Sequence, residues 1–311
     1  MQNYNKNKIF KNILITGGAG FIGGHLINKL SLISKKIFII DNYSTGFNKK
    51  FPNNTHLIKA NCEDKKTLKV LNKYNFDSVV HLAGVSSVEQ SYDDTIKDAS
   101  SNILTTINIL NFVKKKKIKN FVYASSMCVY GNNKNNVNEK NNPKPISFYG
   151  ISKKTAEEYI NFISLPNTTK VILRLFNVYG PGSDKKNKKH GMVGIFLNQL
   201  KNRKILVKGK LSRYRDFVFI DDVISVIIKS MKMQNYKYNL FNVCTSKKTT
   251  VKNLLNKIFK IWDLDKNIIV KGNTPGDQFG IYGNNRKIKK SLKIKKFINL
   301  DDGLKIIKNK I

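Results

Sequence analysis

Short, mostly apolar runs recur along the first half of the chain, at 12–15, 36–40, 56–59, 78–82, 120–125 and 170–175. Continuous apolar character over four to six residues predicts strands buried on both faces. Apolar residues return at helical spacing over 25–32, 65–73, 92–115, 148–163, 193–201, 222–231 and 251–261. Strand and helix therefore alternate, which predicts parallel strands joined by helical crossovers, with helices on both faces of one sheet. The expected fold class is α/β, a doubly wound parallel sheet, and its ligand belongs at the carboxyl ends of the strands. The later part of the chain predicts a smaller mixed α/β unit.

The strand ends carry the chemistry. The first runs into Thr16-Gly17-Gly18-Ala19-Gly20-Phe21-Ile22-Gly23-Gly24 and then into a helix, with glycines at 17, 20 and 23. Such a loop turns tightly, and its bare backbone approaches a pyrophosphate at the positive end of the helix. The second strand ends at Asp41, where a carboxylate accepts hydrogen bonds from a ribose and repels a 2′-phosphate. Together these predict a Rossmann-type dinucleotide site that takes NAD in preference to NADP.

Further along, Tyr149-Gly150-Ile151-Ser152-Lys153 places a phenol and an ammonium one helical turn apart. A tyrosine titrates near about 10, too high for a base at neutral pH, and a nearby positive charge is expected to lower that value. Ser126, just past the strand at 120–125, is placed to donate a hydrogen bond to a substrate oxygen, or else to satisfy a turn.

Composition limits the alternatives. A chain of 311 residues with 41% hydrophobic content folds around a sizeable core. No apolar run approaches the roughly 18 residues of a membrane span. The polar stretch 1–11 lacks a signal-peptide pattern, and Cys62, Cys128 and Cys244 are too few and scattered for a disulfide framework or a metal site. The cytoplasm is the expected compartment. The formal charge of +37 raises nucleic acid as a partner. The basic residues are nearly all lysine, asparagine is abundant too, and the runs 114–117, 185–189 and 287–296 lack interleaved aromatics. A solvated basic surface is the simpler reading.

These residues carry a resemblance. The glycine loop, Asp41-Asn42-Tyr43-Ser44-Thr45-Gly46, His81-Leu82-Ala83, Ser126 ahead of Val129-Tyr130-Gly131, and Tyr149 to Lys153 follow the order and spacing of the extended short-chain dehydrogenase/reductases. Arg174-Leu175-Phe176-Asn177-Val178-Tyr179-Gly180-Pro181, Arg215-Asp216-Phe217-Val218 and Pro275-Gly276-Asp277 extend it over nearly the whole chain. The branch it most resembles is the nucleotide-sugar epimerase/dehydratase group, with UDP-glucose 4-epimerase as its familiar member.

The resemblance implies an NAD-binding domain over 1–173 and a nucleotide-sugar-binding domain over 174–311, with the chain crossing between them more than once. It implies that Gly17, Gly20, Phe21, Ile22 and Gly23 hold the pyrophosphate, and Asp41, Asn42 and Ser44 the ribose end. Asn61 and Cys62 sit at the adenine, Leu82 and Ala83 line the dinucleotide groove, and Lys153 bonds the nicotinamide ribose. Asn177 and Arg215 face the substrate diphosphate, Ser87 and Ser126 the hexose, and Val193 joins the substrate contacts. Arg215 stands out independently, because this chain uses lysine almost wherever a bare positive charge suffices; its structural alternative is an ion pair with Asp216 or Asp221.

The implied reaction is 4-epimerisation of a UDP-hexose or UDP-N-acetylhexosamine through a 4-keto stage, catalysed by Tyr149, Lys153 and Ser126 in a homodimer. The dimer would form through the helices at 92–115 and 148–163. One departure is Thr274, where the family's 4-epimerases usually carry an arginine that Lys271 or another lysine would have to replace. A position that sets pocket size falls on Ile281. The nearest alternatives are a dehydratase or reductase of the same family. Dehydratases, though, carry an acid where this chain has Met127-Cys128. A non-catalytic RNA-binding relative is the reading from another class.

Overall fold

The computed structural model describes residues 9–133, 136–182, 191–202, 204–265, 267–273, 276 and 278–310. Seven parallel strands form the central sheet. From edge to edge they are Tyr238–Val243, Thr169–Leu175, Asn120–Ser126, Ser78–His81, Phe10–Thr16, Ser34–Asp41 and Thr55–Lys59. The order reverses beside Phe10–Thr16, and a crevice opens there at the carboxyl ends of the strands.

Alternate residues of each strand feed two separate cores, which explains the unbroken apolar runs. Ile13, Ile15, Ile37, Ile39, Val80, Val122, Val171 and Leu173 face one side, with Leu26, Ile27 and Leu30 of helix Phe21–Leu30 and the apolar stripe of helix Ile220–Met231. Leu14, Phe38, Ile40, Val79, Phe121, Tyr123 and Ile172 face the other. There they meet Ile109, Leu110 and Val113 of helix Thr105–Lys115 and Ala156 and Ile160 of helix Phe148–Phe162.

Two differences from the sequence expectation bear on the site. The helix expected over 92–115 begins at Val88, because the Ser87 hydroxyl caps it by accepting from the Gln90 N–H at 3.3 Å. It then breaks at Asp94, whose carboxylate accepts from the Lys97 N–H at 2.8 Å and restarts the chain as helix Thr95–Ala99. Aspartate prefers this capping role to a helix interior. A π-helical turn, Ser100–Leu104, leads into helix Thr105–Lys115. Second, strand Tyr238–Val243 pairs in parallel with Thr169–Leu175, so the later half of the chain returns to complete the sheet.

Candidate active site

A single cleft of about 1250 Å³ runs along the carboxyl ends of the strands. Its floor is the glycine loop. Gly17 has φ +71°, and a Cβ there would lie 2.6 Å from the Ala83 backbone nitrogen, so the first and fourth strand ends can approach only through glycine. A Cβ on Gly23 would lie 2.5 Å from the Gly17 carbonyl oxygen, which keeps helix Phe21–Leu30 tight against the loop. That helix has Gly20 at its N-cap and no side chain capping it, so the first-turn N–H groups of Phe21, Ile22 and Gly23 are left for a ligand. This donor set fits a pyrophosphate.

Asp41 is buried at the end of the second strand, and its carboxylate accepts from the Ala19 N–H and the Tyr43 N–H, each at 2.8 Å. Each oxygen retains capacity for a ribose hydroxyl. Beside it, Asn42 Nδ2 donates to Asn61 Oδ1 at 2.5 Å. Cys62 is buried next to them, and burial, reinforced by the Asp41 charge, pushes its thiol up to about 12. That sulfur is a packing group, not a nucleophile. Ser44, Leu82 and Ala83 complete this end of the cleft.

The reactive centre is built on helix Phe148–Phe162, which starts where Ser147 Oγ accepts from the Gly150 N–H at 3.1 Å. Tyr149 and Lys153 line the cleft from one face of this helix, and Ser126 meets them from the end of strand Asn120–Ser126. The structure meets the turn role considered for Ser126. Its hydroxyl accepts from the Cys128 N–H at 3.2 Å, and it also hydrogen-bonds Tyr149. The Lys153 ammonium donates to the Ala124 carbonyl at 3.0 Å and lies 4.8 Å from the Tyr123 ring centre and 5.8 Å from that of Tyr149.

One expectation is reversed. Burial holds the Tyr149 phenol well above the usual tyrosine range, and a charge on Cys128 would push it further. The Ser126 hydrogen bond opposes this only in part. Lys153 is not among the groups that lower it in the free protein, and burial pushes Lys153 itself down to about 8, with Asp98 and Glu157 pulling the other way. His81, at the neighbouring strand end, is held neutral by burial, its pKa down to about 3. It bridges Thr16 Oγ1 at 2.6 Å and Thr106 Oγ1 at 3.0 Å beneath the cleft.

The opposite wall comes from the later half of the chain. Arg215 is buried and lines the cleft, donating to the carbonyls of Tyr214 at 2.8 Å and Gln278 at 2.7 Å. The Asp216 carboxylate is committed elsewhere, accepting from Thr245 N, Thr245 Oγ1, Ser246 N and Gly283 N. Asn177 lines the cleft, with its amide N–H 3.3 Å from Met127 Sδ, and Ser87 lines it from the sheet side. Val193 does not: its side chain is 2% exposed in the core, while Met192, Gly194 and Ile195 reach the cleft. Ile281 is fully buried behind Met127, and Lys271 is exposed after strand Ile268–Val270. Thr274, Pro275, Asp277 and the basic run 185–189 lie outside the described residues.

Pattern reading missed Lys204, Lys208, Arg213 and Glu89, which also line the cleft, with Lys208 Nζ 3.2 Å from Glu89 across it. Nothing local distinguished these lysines from the dozens on the surface. Among the described residues, no helix is long and apolar enough to cross a membrane, and no cluster of three metal-ligating side chains occurs.

Comparison with known proteins places this architecture. A protein of Methanocaldococcus jannaschii named "Putative UDP-glucose 4-epimerase" is 34% identical over 301 residues, covering 96% of this chain and 97% of that one. The structure of UDP-glucose 4-epimerase with UDP-glucose from Thermotoga maritima superposes with a TM-score of 0.90 at 30% identity, covering 96% of this chain and 99% of the other. The dTDP-D-glucose 4,6-dehydratase of Dictyostelium discoideum is 32% identical, covering 83% of this chain and 64% of its own length. The sequence pattern of the NAD dependent epimerase/dehydratase family matches residues 13–244, and the chain belongs to that family.

Proposed function

We propose that the protein is an NAD-dependent nucleotide-sugar 4-epimerase acting on a UDP-hexose or UDP-N-acetylhexosamine. The observation that carries this is the convergence of Ser126, Tyr149 and Lys153 on one cleft wall, between the glycine loop and Arg215. At about 1250 Å³ the cleft exceeds the roughly 300–1,000 Å³ of a single small-ligand site, as a dinucleotide and a nucleotide sugar together require.

In this reading the free N–H groups after Gly20 hold the NAD pyrophosphate, Asp41 its adenosine ribose and Lys153 its nicotinamide ribose. Bound NAD supplies the hydride acceptance and return at the sugar carbon. The Tyr149 oxygen takes the proton from the C4 hydroxyl and later gives it back, while Ser126 steadies the substrate oxygen as its charge changes. Arg215 and Asn177 grip the diphosphate, so the 4-keto sugar turns over without leaving. Elimination is disfavoured, because Met127 and Cys128 occupy the cleft where a dehydratase needs a carboxylate to protonate the departing hydroxyl.

We also place this enzyme in the cytoplasm, with its boundary between cofactor and substrate portions near residue 173. It works as a homodimer through helices Thr95–Ala99, Thr105–Lys115 and Phe148–Phe162. Ile96, Ile151 and Phe162 on these helices and Leu104 at the end of the π-helical turn are exposed, Phe162 to 93%, and a second copy of this chain would cover them.

Incubating the protein with a panel of nucleotide sugars and following interconversion of the C4 isomers tests the activity. Tyr149→Phe is expected to slow turnover by about 10²–10⁴-fold, the usual contribution of a positioned acid–base group, while NAD stays bound. Turnover near the wild-type rate would remove Tyr149 from its role.

A further inference from the structure

We propose that Asp98 is a positioning residue for this site: its buried carboxylate is the counter-charge that holds the Lys153 ammonium in its cleft-facing place. This rests on the reading of Lys153 as part of the reactive centre, but concerns a residue that pattern reading of the sequence did not single out.

Asp98 sits on helix Thr95–Ala99, two residues ahead of the π-helical turn, and is 1% exposed. Its Oδ2 accepts from Ser152 Oγ at 2.6 Å, and its Oδ1 from Asn102 Nδ2 at 3.1 Å. Asn102 Nδ2 also reaches the Asp98 carbonyl at 3.1 Å and the Val85 carbonyl at 3.2 Å. The carboxylate is thus clamped against the residue preceding Lys153, 54 positions away in sequence. Its clamp, Asn102, lies within the π-helical turn, an irregularity that recurs at functional sites.

Lys153 itself makes no direct ion pair among the described residues, and its single hydrogen bond goes to the Ala124 carbonyl. The groups that face it are few. Asp98 stands on the neighbouring helix and Glu157 on its own; the phenols of Tyr123 and Tyr149 and the His81 imidazole are neutral at physiological pH. Glu157 already holds Arg174 in a two-pronged pair. Asp98 is therefore the negative charge left to balance a desolvated ammonium.

The test uses the full chain and two variants. Asp98→Asn removes the charge at constant volume. Should that variant not fold, Asp98→Ser, which keeps a partner for Ser152, takes its place. Ser152→Ala breaks the hydrogen bond and leaves the charge. Competitive acetylation with acetic anhydride across pH, read by peptide mass spectrometry, reports the protonation of Lys153 directly, whether or not the protein is an epimerase. The expected result is a Lys153 titration moved down by about one pH unit in the Asp98 variant and unmoved in Ser152→Ala. With an active enzyme, the alkaline limb of kcat moves down by the same amount. An unmoved Lys153 titration in the Asp98 variant, or a uniform loss of rate at every pH, overturns the proposal. A wild type inactive on every nucleotide sugar, with the Lys153 shift present, would overturn only the epimerase reading.

Discussion

Lys153 and Glu157 stand one turn apart on helix Phe148–Phe162, each 4% exposed, and are answered in opposite ways. Glu157 accepts from Arg174 Nε at 3.0 Å and Arg174 Nη2 at 2.6 Å, and from the Ser125 hydroxyl. The guanidinium in turn lies 4.6 Å from the Tyr130 ring centre. This pair ties the helix to strands Asn120–Ser126 and Thr169–Leu175, and it engages both Glu157 oxygens without a ligand, leaving only Arg174 Nη1 without a hydrogen-bond partner. Lys153 has one carbonyl, two aromatic rings and a carboxylate held at a distance; the rest of its ammonium faces the cleft. A buried carboxylate engaged on both oxygens is architecture, and an ammonium left partly unpaired at a cleft is kept for a ligand.

Glu157→Ala should have the largest effect on stability. It strands a buried guanidinium, a change that costs about 3–5 kcal/mol. Chemical denaturation measures it, and a loss below about 1 kcal/mol would mean the pair is not the anchor described here.

The Tyr149 phenol sharpens the contrast next. In the free protein burial keeps it protonated, so a positive ligand must lower its pKa before it can act as a base. Titrating the protein with oxidised NAD and following tyrosinate absorbance should show one tyrosine moving down by about two pH units, roughly 2.7 kcal/mol. A titration curve indifferent to NAD would sink the acid–base assignment.

The smallest effect is the most discriminating. Lys153→Met should stabilise the free protein by about 1 kcal/mol at neutral pH, because it removes a charge that folding desolvates. The sign follows from the lowered pKa. Between about 8 and the ordinary lysine range the unfolded chain holds this proton and the folded one does not, so wild-type stability rises with pH across that window. The variant should lack the rise. A destabilised Lys153→Met would make Lys153 architectural, like Glu157, and erase the distinction.

Much of the cofactor end was legible in the sequence, because it is local. Gly20 and Gly23 pack against the backbone of their own loop and Gly17 takes a positive φ, all features of one short segment, although Gly17 also faces the distant Ala83 backbone. Asp41 ends a strand whose position follows from an apolar run, and Tyr149 and Lys153 need only a helix to share a face. The family resemblance extended this to the whole chain. Val193 was misplaced because a one-residue rotation of helix Met192–Gln199 separates cleft from core. Ile281 packs behind the cleft-lining Met127, in a cluster with Val137 and Phe176 that only the tertiary structure assembles.

The sequence by itself thus determined the sheet, its two apolar cores, the glycine loop, the acid at the second strand end and the tyrosine–lysine pair. These depend on side-chain period and backbone freedom, which neighbouring residues decide. Only the tertiary structure decided how acidic the tyrosine is, which carboxylate balances the lysine and which cations face the cleft. Those follow from desolvation and from charges brought together across as many as 119 positions, and no short window of sequence contains that sum.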